Sequence, residues 1–283
     1  MAVSRWQIQG HGGAGDLCSD NTQEAFEMAW SLGIIPEADV RMSRDGVLVA
    51  FHDDSFQRVA QGKDAALAHF SVAELDWERL SIMDVGSYRG AALGLHRIPC
   101  LKEVFGSMRG QPERRLYLDL KEAPLGILAR AVEEAGVQSQ VIFATSNYPL
   151  IQEWKTLLPA GRTLLWMGAR GEAADRVLEG RFEEFRKQSF SALTELQIHA
   201  FLRQPVESIR RDSRDPFTPS DAFFRKAASE LKKQGILFQS LPWGGTTPEV
   251  YWKLLDLGVE SFATDSPLVT LAALENYQPL DRE

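Results

Sequence analysis

The sequence predicts an α/β fold, a (β/α)8 TIM barrel with a small insertion after the second β/α unit. Three observations carry that expectation. Short apolar strands alternate with amphipathic helices along most of the chain, eight β–α units can be counted, and 283 residues suit one such barrel. We expect a single domain over 1–283, with the insertion at about 53–114, where too much chain intervenes for a plain crossover connection. A composition of 44% hydrophobic and 25% charged residues allows a sizeable core and excludes disorder as the dominant state.

Residues 6–10 read as the first strand, ending at His11. Asn21 followed by Glu24 predicts a capping box for a helix that places Ala25, Phe26, Ala29 and Trp30 on one face and stops at Gly33. The second strand covers 35–40 and pairs with 47–51 across a turn containing Asp45-Gly46. Further strands are expected at 115–121, 140–146, 163–168, 192–199, 235–241 and 259–264. Helices are expected at 125–136, 149–158, 172–188, 221–234 and 248–258, and a last one begins near Pro267. Inside the insertion, Ser71 with Glu74 caps a helix running through Leu75 and Leu80, and a second helix spans 101–108.

Charge and cysteine content bound the function classes. Lys+Arg number 31 against 39 Asp+Glu, a net −8, the opposite of a nucleic-acid footprint. Cys18 and Cys100 are too few for a disulfide framework and lack metal-ligand spacing. No apolar run reaches the ~18 residues of a membrane span, and the N-terminal residues have no apolar signal core. The expectation is a soluble cytoplasmic protein with a small-molecule partner, no nucleic acid and no stable membrane anchor. The oligomeric state is open.

Active sites of such barrels gather at the C-terminal ends of the strands, and period-2 alternation tells which side chains point inward. Glu37, Asp39 and Arg41 share one face of the second strand; Tyr117, Asp119 and Lys121 share one face of the third. His11 ends the first strand, and His52 ends the hairpin with Asp53 behind it. Three carboxylates brought together require a compensating cation, and an all-oxygen donor set selects magnesium or calcium. Two histidines beside one such divalent cation can serve as general base and general acid, and Lys121 as an anion contact, which describes a phosphoryl-transfer site. The alternative is internal ion pairing of Glu37 and Asp39 with Arg41 and Lys121. Glu195, Gln197 and His199 alternate on the sixth strand. His199 is the one expected to touch substrate, against the alternative of a hydrogen-bonded polar layer. Trp243 after the seventh strand is a candidate wall for a ligand, or an ordinary loop aromatic. The loop bearing Arg203, Arg210, Arg211 and Arg214 with Asp212 and Asp215 reads as solvated and mixed in charge. His69 and His96 are left as surface or packing residues.

The ordered set His11-Gly12-Gly13, Asn21-Thr22 with Ala25-Phe26, Glu37-Ala38-Asp39-Val40, Asp45-Gly46 and His52-Asp53 resembles the glycerophosphodiester phosphodiesterase family. Residues 97–104, from Arg97-Ile98-Pro99 to Val104, then Leu118-Asp119-Leu120-Lys121, Gly258-Val259-Glu260 and Thr264-Asp265-Ser266-Pro267, extend the resemblance over nearly the whole chain. It implies a (β/α)8 barrel with a small insertion. By resemblance, His11 and His52 form the catalytic pair, Glu37, Asp39 and Asp119 correspond to the metal ligands, and Lys121 to a phosphate contact. The chain departs from the pattern in three places. Gly12 stands where the family usually carries arginine, Asp119 where it usually carries glutamate, and the stretch before Glu37 is one residue shorter. Arg41 is the candidate to restore the missing positive charge at the substrate.

The expected function is metal-dependent hydrolysis of glycerophosphodiesters to an alcohol and glycerol 3-phosphate, with His11 as base and His52 as acid. Two alternatives accompany it. One is a lysophospholipase D or sphingomyelinase D-like lipid phosphodiesterase; the other is a catalytically idle barrel that binds phosphorylated metabolites.

Overall fold

In the computed structural model, which describes residues 6–90 and 95–279, the alternation read from the sequence becomes ten strands and nine α-helices among those residues. In chain order they are β1 (Gln7–Gly10), α1 (Gln23–Ser31), β2 (Ile35–Met42), β3 (Leu48–Ala50), α2 (Trp77–Leu80), α3 (Leu101–Met108), β4 (Leu116–Glu122), α4 (Leu125–Ala135) and β5 (Val141–Thr145). There follow α5 (Tyr148–Leu157), β6 (Arg162–Met167), α6 (Ala174–Lys187), β7 (Glu195–Leu202), β8 (Phe217–Thr218), α7 (Asp221–Gln234), β9 (Leu237–Trp243), α8 (Pro248–Asp256), β10 (Ser261–Thr264) and α9 (Pro267–Glu275). Set aside β3, β8 and α2, and eight strands alternate with eight helices, the element order of a (β/α)8 barrel.

Contacts divide the chain into two compact units. The first comprises Gln9–Ala144 and Glu153–Gly161. Here β2 pairs in parallel with β1 and β4, β4 pairs in parallel with β5, and the short β3 runs antiparallel to β2. The register sets Glu37 opposite Tyr117 and Asp39 opposite Asp119, then shifts after Val40, so that Arg41 lies opposite Glu122 rather than Lys121. Such an irregularity re-aims the side chains beyond it. The extra residue is Lys121, so the irregularity lies on β4.

Helix α1 buries Ala25, Phe26 and Ala29, as its spacing requires. Its cap is not Asn21, however. Thr22 is the N-cap: its hydroxyl accepts from the Ala25 N–H at 3.2 Å and donates to the Ser19 carbonyl at 2.8 Å. Asn21 is in the left-handed region at φ 55°, with its amide engaged elsewhere. Because a buried cap hydroxyl satisfies an otherwise orphaned helix donor, Thr22→Ala should cost about 1 kcal/mol. This would be read as a lower denaturation midpoint at unchanged m.

The insertion has a small core of its own. Phe51, Phe56, Val59, Val72, Leu80, Met83, Val85 and Ile98 pack with Val49 of β3. The Ser71/Glu74 pair is present, the Glu74 carboxylate accepting from the Ser71 N–H at 2.8 Å and hydroxyl at 3.0 Å. It closes a single 3₁₀ turn at Val72–Glu74, and the chain then breaks before α2, so the expected helix through Leu75 and Leu80 is two pieces. Helix α3, expected within the insertion, packs against α4 and occupies the helix place of the second β/α repeat. His69 is exposed and His96 buried.

The second unit is built from Thr145–Gln152 and the chain from Arg162 onward, with Gln7 and Ile8. Strands β6, β7, β9 and β10 pair in parallel, and β8 lies antiparallel on β7. The sixth barrel strand begins at Glu195, three residues later than expected, because Ser189, Phe190 and Ala192 take positive φ and turn the chain first. Glu195 is fully buried and accepts from Arg162 at 2.6 Å and Gln7 at 2.9 Å. Gln197, Gln239 and Ser261 are hydrogen-bonded in series, at 2.5 and 3.1 Å. This is the polar layer foreseen as the alternative for this strand. In the arginine-bearing loop, Arg211 binds Asp256 through two bonds of 2.5 and 2.7 Å, and Arg203 donates to Thr218 at 2.8 Å.

Candidate active site

The register of β2 against β4 brings three acids together. Ligand atoms of Glu37, Asp39 and Asp119 lie within 4.8 Å of one another, and the residues are only 5%, 1% and 3% exposed. Several neighbouring groups counteract their mutual repulsion. Asn21 donates to Asp39 Oδ2 at 2.6 Å and accepts from the Asp39 N–H at 2.7 Å, while the Gly12 N–H reaches Glu37 Oε2 at 3.3 Å. Lys121 Nζ stands 2.7 Å from Asp119 Oδ2 and 3.1 Å from Asp39 Oδ1. Burial disfavours its charge, but Asp39, Asp119 and Glu37 together hold the ammonium well above its ordinary range. The single ammonium does not neutralise the set. Burial, reinforced by Asp39 and Asp119, pushes the Glu37 carboxyl up to about 7 against the opposing pull of His11 and Lys121. A buried, convergent, all-oxygen donor set still short of positive charge fits a hard divalent cation. Asp119, one methylene shorter than glutamate, reaches the group because it lies directly opposite Asp39.

The histidines arrive from the ends of β1 and β3. His11 opens a tight turn closed by Gly13 N–H to Gly10 carbonyl (3.0 Å) and Gly15 N–H to His11 carbonyl (3.1 Å). Gly12 within it sits at φ +59°, and a Cβ there would come 2.9 Å from the Asp20 Cβ. The turn thus has neither the backbone hand nor the space for an arginine at this position unless Asp20 moves. His52 is about half exposed. Its Nδ1 lies 2.8 Å from Asp53 Oδ1, and since a carboxylate only accepts, Nδ1 carries the proton and Nε2 is the remaining nitrogen. The Asp53 hydrogen bond raises the imidazole pKa, burial opposes it, and Asp39 adds to the rise.

Arg41 is buried. Its guanidinium donates to Asp54 at 2.6 Å, Glu122 at 3.0 Å and the His52 carbonyl at 2.9 Å. His199 and Trp243 lie in the other unit and meet each other there. The His199 ring stacks on Trp166 (5.5 Å, 6°) and is met edge-on by Trp243 (5.7 Å, 77°), with Nε2 3.1 Å from Gln197 Oε1. Reading the sequence residue by residue missed Asn21 as the clamp on Asp39. It also missed Asp20, Arg58 and Tyr88 behind the His52–Asp53 pair. Only the adjacency of Asp53 to His52 signals any of this locally.

Compared with known proteins, the sequence matches the glycerophosphoryl diester phosphodiesterase family over residues 11–269. The chain belongs to that family. A glycerophosphodiester phosphodiesterase of Caldanaerobacter subterraneus subsp. tengcongensis is 28% identical over 156 residues, 53% of this chain and 61% of the relative. The matched part is thus less than two thirds of that curated relative. Among solved structures, a glycerophosphodiester phosphodiesterase from Agrobacterium tumefaciens superposes with a TM-score of 0.69 at 18% identity, covering 94% of this chain and 99% of the other. An Oleispira antarctica phosphodiesterase in complex with the product sn-glycerol-3-phosphate gives 0.69 at 22% identity, covering 95% and 97%. These likenesses show the fold of this phosphodiesterase-family chain to be the (β/α)8 barrel.

Proposed function

We propose that this chain is a metal-dependent phosphoric diester hydrolase that cleaves glycerophosphodiesters to an alcohol and glycerol 3-phosphate. The carrying observation is the buried triad of Glu37, Asp39 and Asp119, backed by the family match over residues 11–269. The three carboxylates would hold one divalent cation, magnesium or calcium. When bound, it supplies positive charge that offsets the negative charge of the phosphodiester.

In this reading His11 is the general base and His52 the general acid. With Nδ1 engaged by Asp53, His52 gives up its proton from Nε2 to the departing alcohol oxygen. Lys121, raised into permanent protonation, contributes a fixed positive charge to the phosphate. Arg41 is the candidate to restore positive charge at the substrate, and it also anchors the His52 carbonyl through Nη2, with Asp54 and Glu122 as its carboxylate partners. His199 is kept as the residue of the sixth barrel strand that would touch a substrate, and Trp243, met edge-on with it, as the candidate wall for a ligand. The nucleophile that His11 activates is water or the substrate's own vicinal hydroxyl, and a cyclic phosphate product would identify the second. The partner is a small-molecule diester. A cytoplasmic setting is supported by two buried, unpaired cysteines, and among the described residues no helix is long and apolar enough to cross a membrane.

A panel of glycerophosphodiesters assayed with magnesium, calcium and chelator tests the proposal. Turnover that chelation abolishes and one cation restores is expected; binding without turnover under every condition overturns it. The Asp53 hydrogen bond also fixes a pH dependence. An acid must be protonated, so raising its pKa extends activity upward, and the alkaline limb of kcat should lie above the ordinary imidazole value of about 6.5. In Asp53→Asn the limb should move to lower pH.

A further inference from the structure

Arg58, in the 3₁₀ turn Phe56–Arg58 that follows the hairpin, has its guanidinium engaged on every side. Nε donates to Asp53 Oδ2 at 2.6 Å. Nη1 and Nη2 form a fork on the two oxygens of Asp20, at 2.9 and 2.8 Å. Nη1 also donates to the Tyr88 hydroxyl, which in turn donates to Asp20 Oδ1 at 2.9 Å, and the guanidinium lies over the Tyr88 ring, 5.2 Å from its centroid. Burial opposes the charge on Asp20 and Asp53, yet hydrogen bonds from Arg58 help hold both below the usual carboxylate range. Tyr88 is pushed up to about 12 by burial and by Asp20, so it stays a neutral donor.

The fork is what matters. Two parallel charge-assisted bonds fix a guanidinium in plane and direction, whereas one bond leaves it free to swing. Asp20 and Tyr88 thus fix Arg58, Arg58 fixes Asp53 Oδ2, and the other oxygen of Asp53 meets His52 Nδ1. Asp20 also sits beside Asn21, the residue that clamps Asp39, so one loop steadies both the acid cluster and the support of His52.

We propose that Arg58 is a positioning residue for His52: held by Asp20 and Tyr88, it keeps the Asp53 carboxylate in the orientation that occupies Nδ1 of His52 and leaves Nε2 for the substrate. The catalytic part of this inference rests on His52 being the general acid, as proposed above; the structural part does not.

The test separates the two. The charged groups facing His52 are Asp53 with Arg58 from its own loop, Asp39 and Lys121 from β2 and β4, and Arg41 at its carbonyl. Deleting the Arg58 charge while Asp53 stays in place would raise the His52 pKa, because a nearby cation is lost. Releasing Asp53 would lower it, because the hydrogen bond is lost. Imidazole nitrogen NMR of the full chain in Arg58→Gln and Asp20→Asn is expected to show the His52 pKa falling and the two ring tautomers mixing. The Asp20→Asn variant removes the ionic fork at nearly constant volume, which keeps the test open should Arg58→Gln fail to fold. A pKa unchanged or raised, with Nδ1–H retained, overturns the proposal.

Kinetics then read the catalytic part. The variants should lose about 10²-fold in kcat on a diester with an alkyl alcohol leaving group, the usual scale for a misplaced catalytic group. They should change little on a nitrophenyl diester, whose leaving group departs without a proton. Equal losses on both would show a general structural role and overturn the assignment. If His52→Ala itself retained activity while the NMR result held, the functional reading would fall and the positioning role would stand.

Discussion

Replacing His52 with alanine should lower kcat on a glycerophosphodiester by about 10²–10⁴-fold, the usual weight of a positioned acid or base, and His11→Ala should do the same. The expectation rests on two strand ends delivering imidazoles beside one acid cluster. His11 acts electrostatically on Glu37, and His52 feels Asp39 and Lys121. The two variants should differ in leaving-group dependence. Loss of the acid is felt most with alkyl alcohols, whereas loss of the base is felt with every leaving group. Cation affinity should survive in His52→Ala, whose ring is bound to Asp53 rather than to a carboxylate of the triad. Calorimetry of metal binding alongside the kinetics therefore distinguishes a missing proton donor from a disrupted site. Near-normal turnover in either variant would remove that histidine from the reaction.

Asp119→Ala should abolish measurable binding of magnesium or calcium near the affinity of the unaltered chain, with turnover lost in parallel. The buried group would have two carboxylates instead of three, and Lys121 would lose its 2.7 Å partner and move closer in effect to Asp39. A divalent cation then meets less negative charge and an uncompensated ammonium. Asn21→Ala should act more weakly, by about 10–100-fold in affinity or activity, since it removes only the hydrogen-bonded support of Asp39. Calorimetric affinity unchanged in Asp119→Ala would take Asp119 out of the ligand set. Asp119→Glu, which restores the longer side chain usual in the family, tests whether the register places the carboxylate or its length does.

The chain's strand and helix order, and the faces on which Glu37, Asp39, Asp119 and Lys121 lie, could be read locally. Backbone geometry imposes a period of two on any strand, so a few residues of sequence suffice to sort its side chains. The same holds for α1, whose buried Ala25, Phe26 and Ala29 follow helical spacing. Tertiary structure alone decided that Asp39 stands opposite Asp119 and that Arg41 slips past Lys121 to Glu122, because register belongs to a pair of strands and is written in neither. It also decided that Asn21 clamps Asp39 instead of capping α1. The Arg58 fork on Asp20 spans 38 residues, and the Tyr88 bond to Asp20 spans 68. No local period reaches that far: such contacts exist only once loop and insertion have been folded against each other.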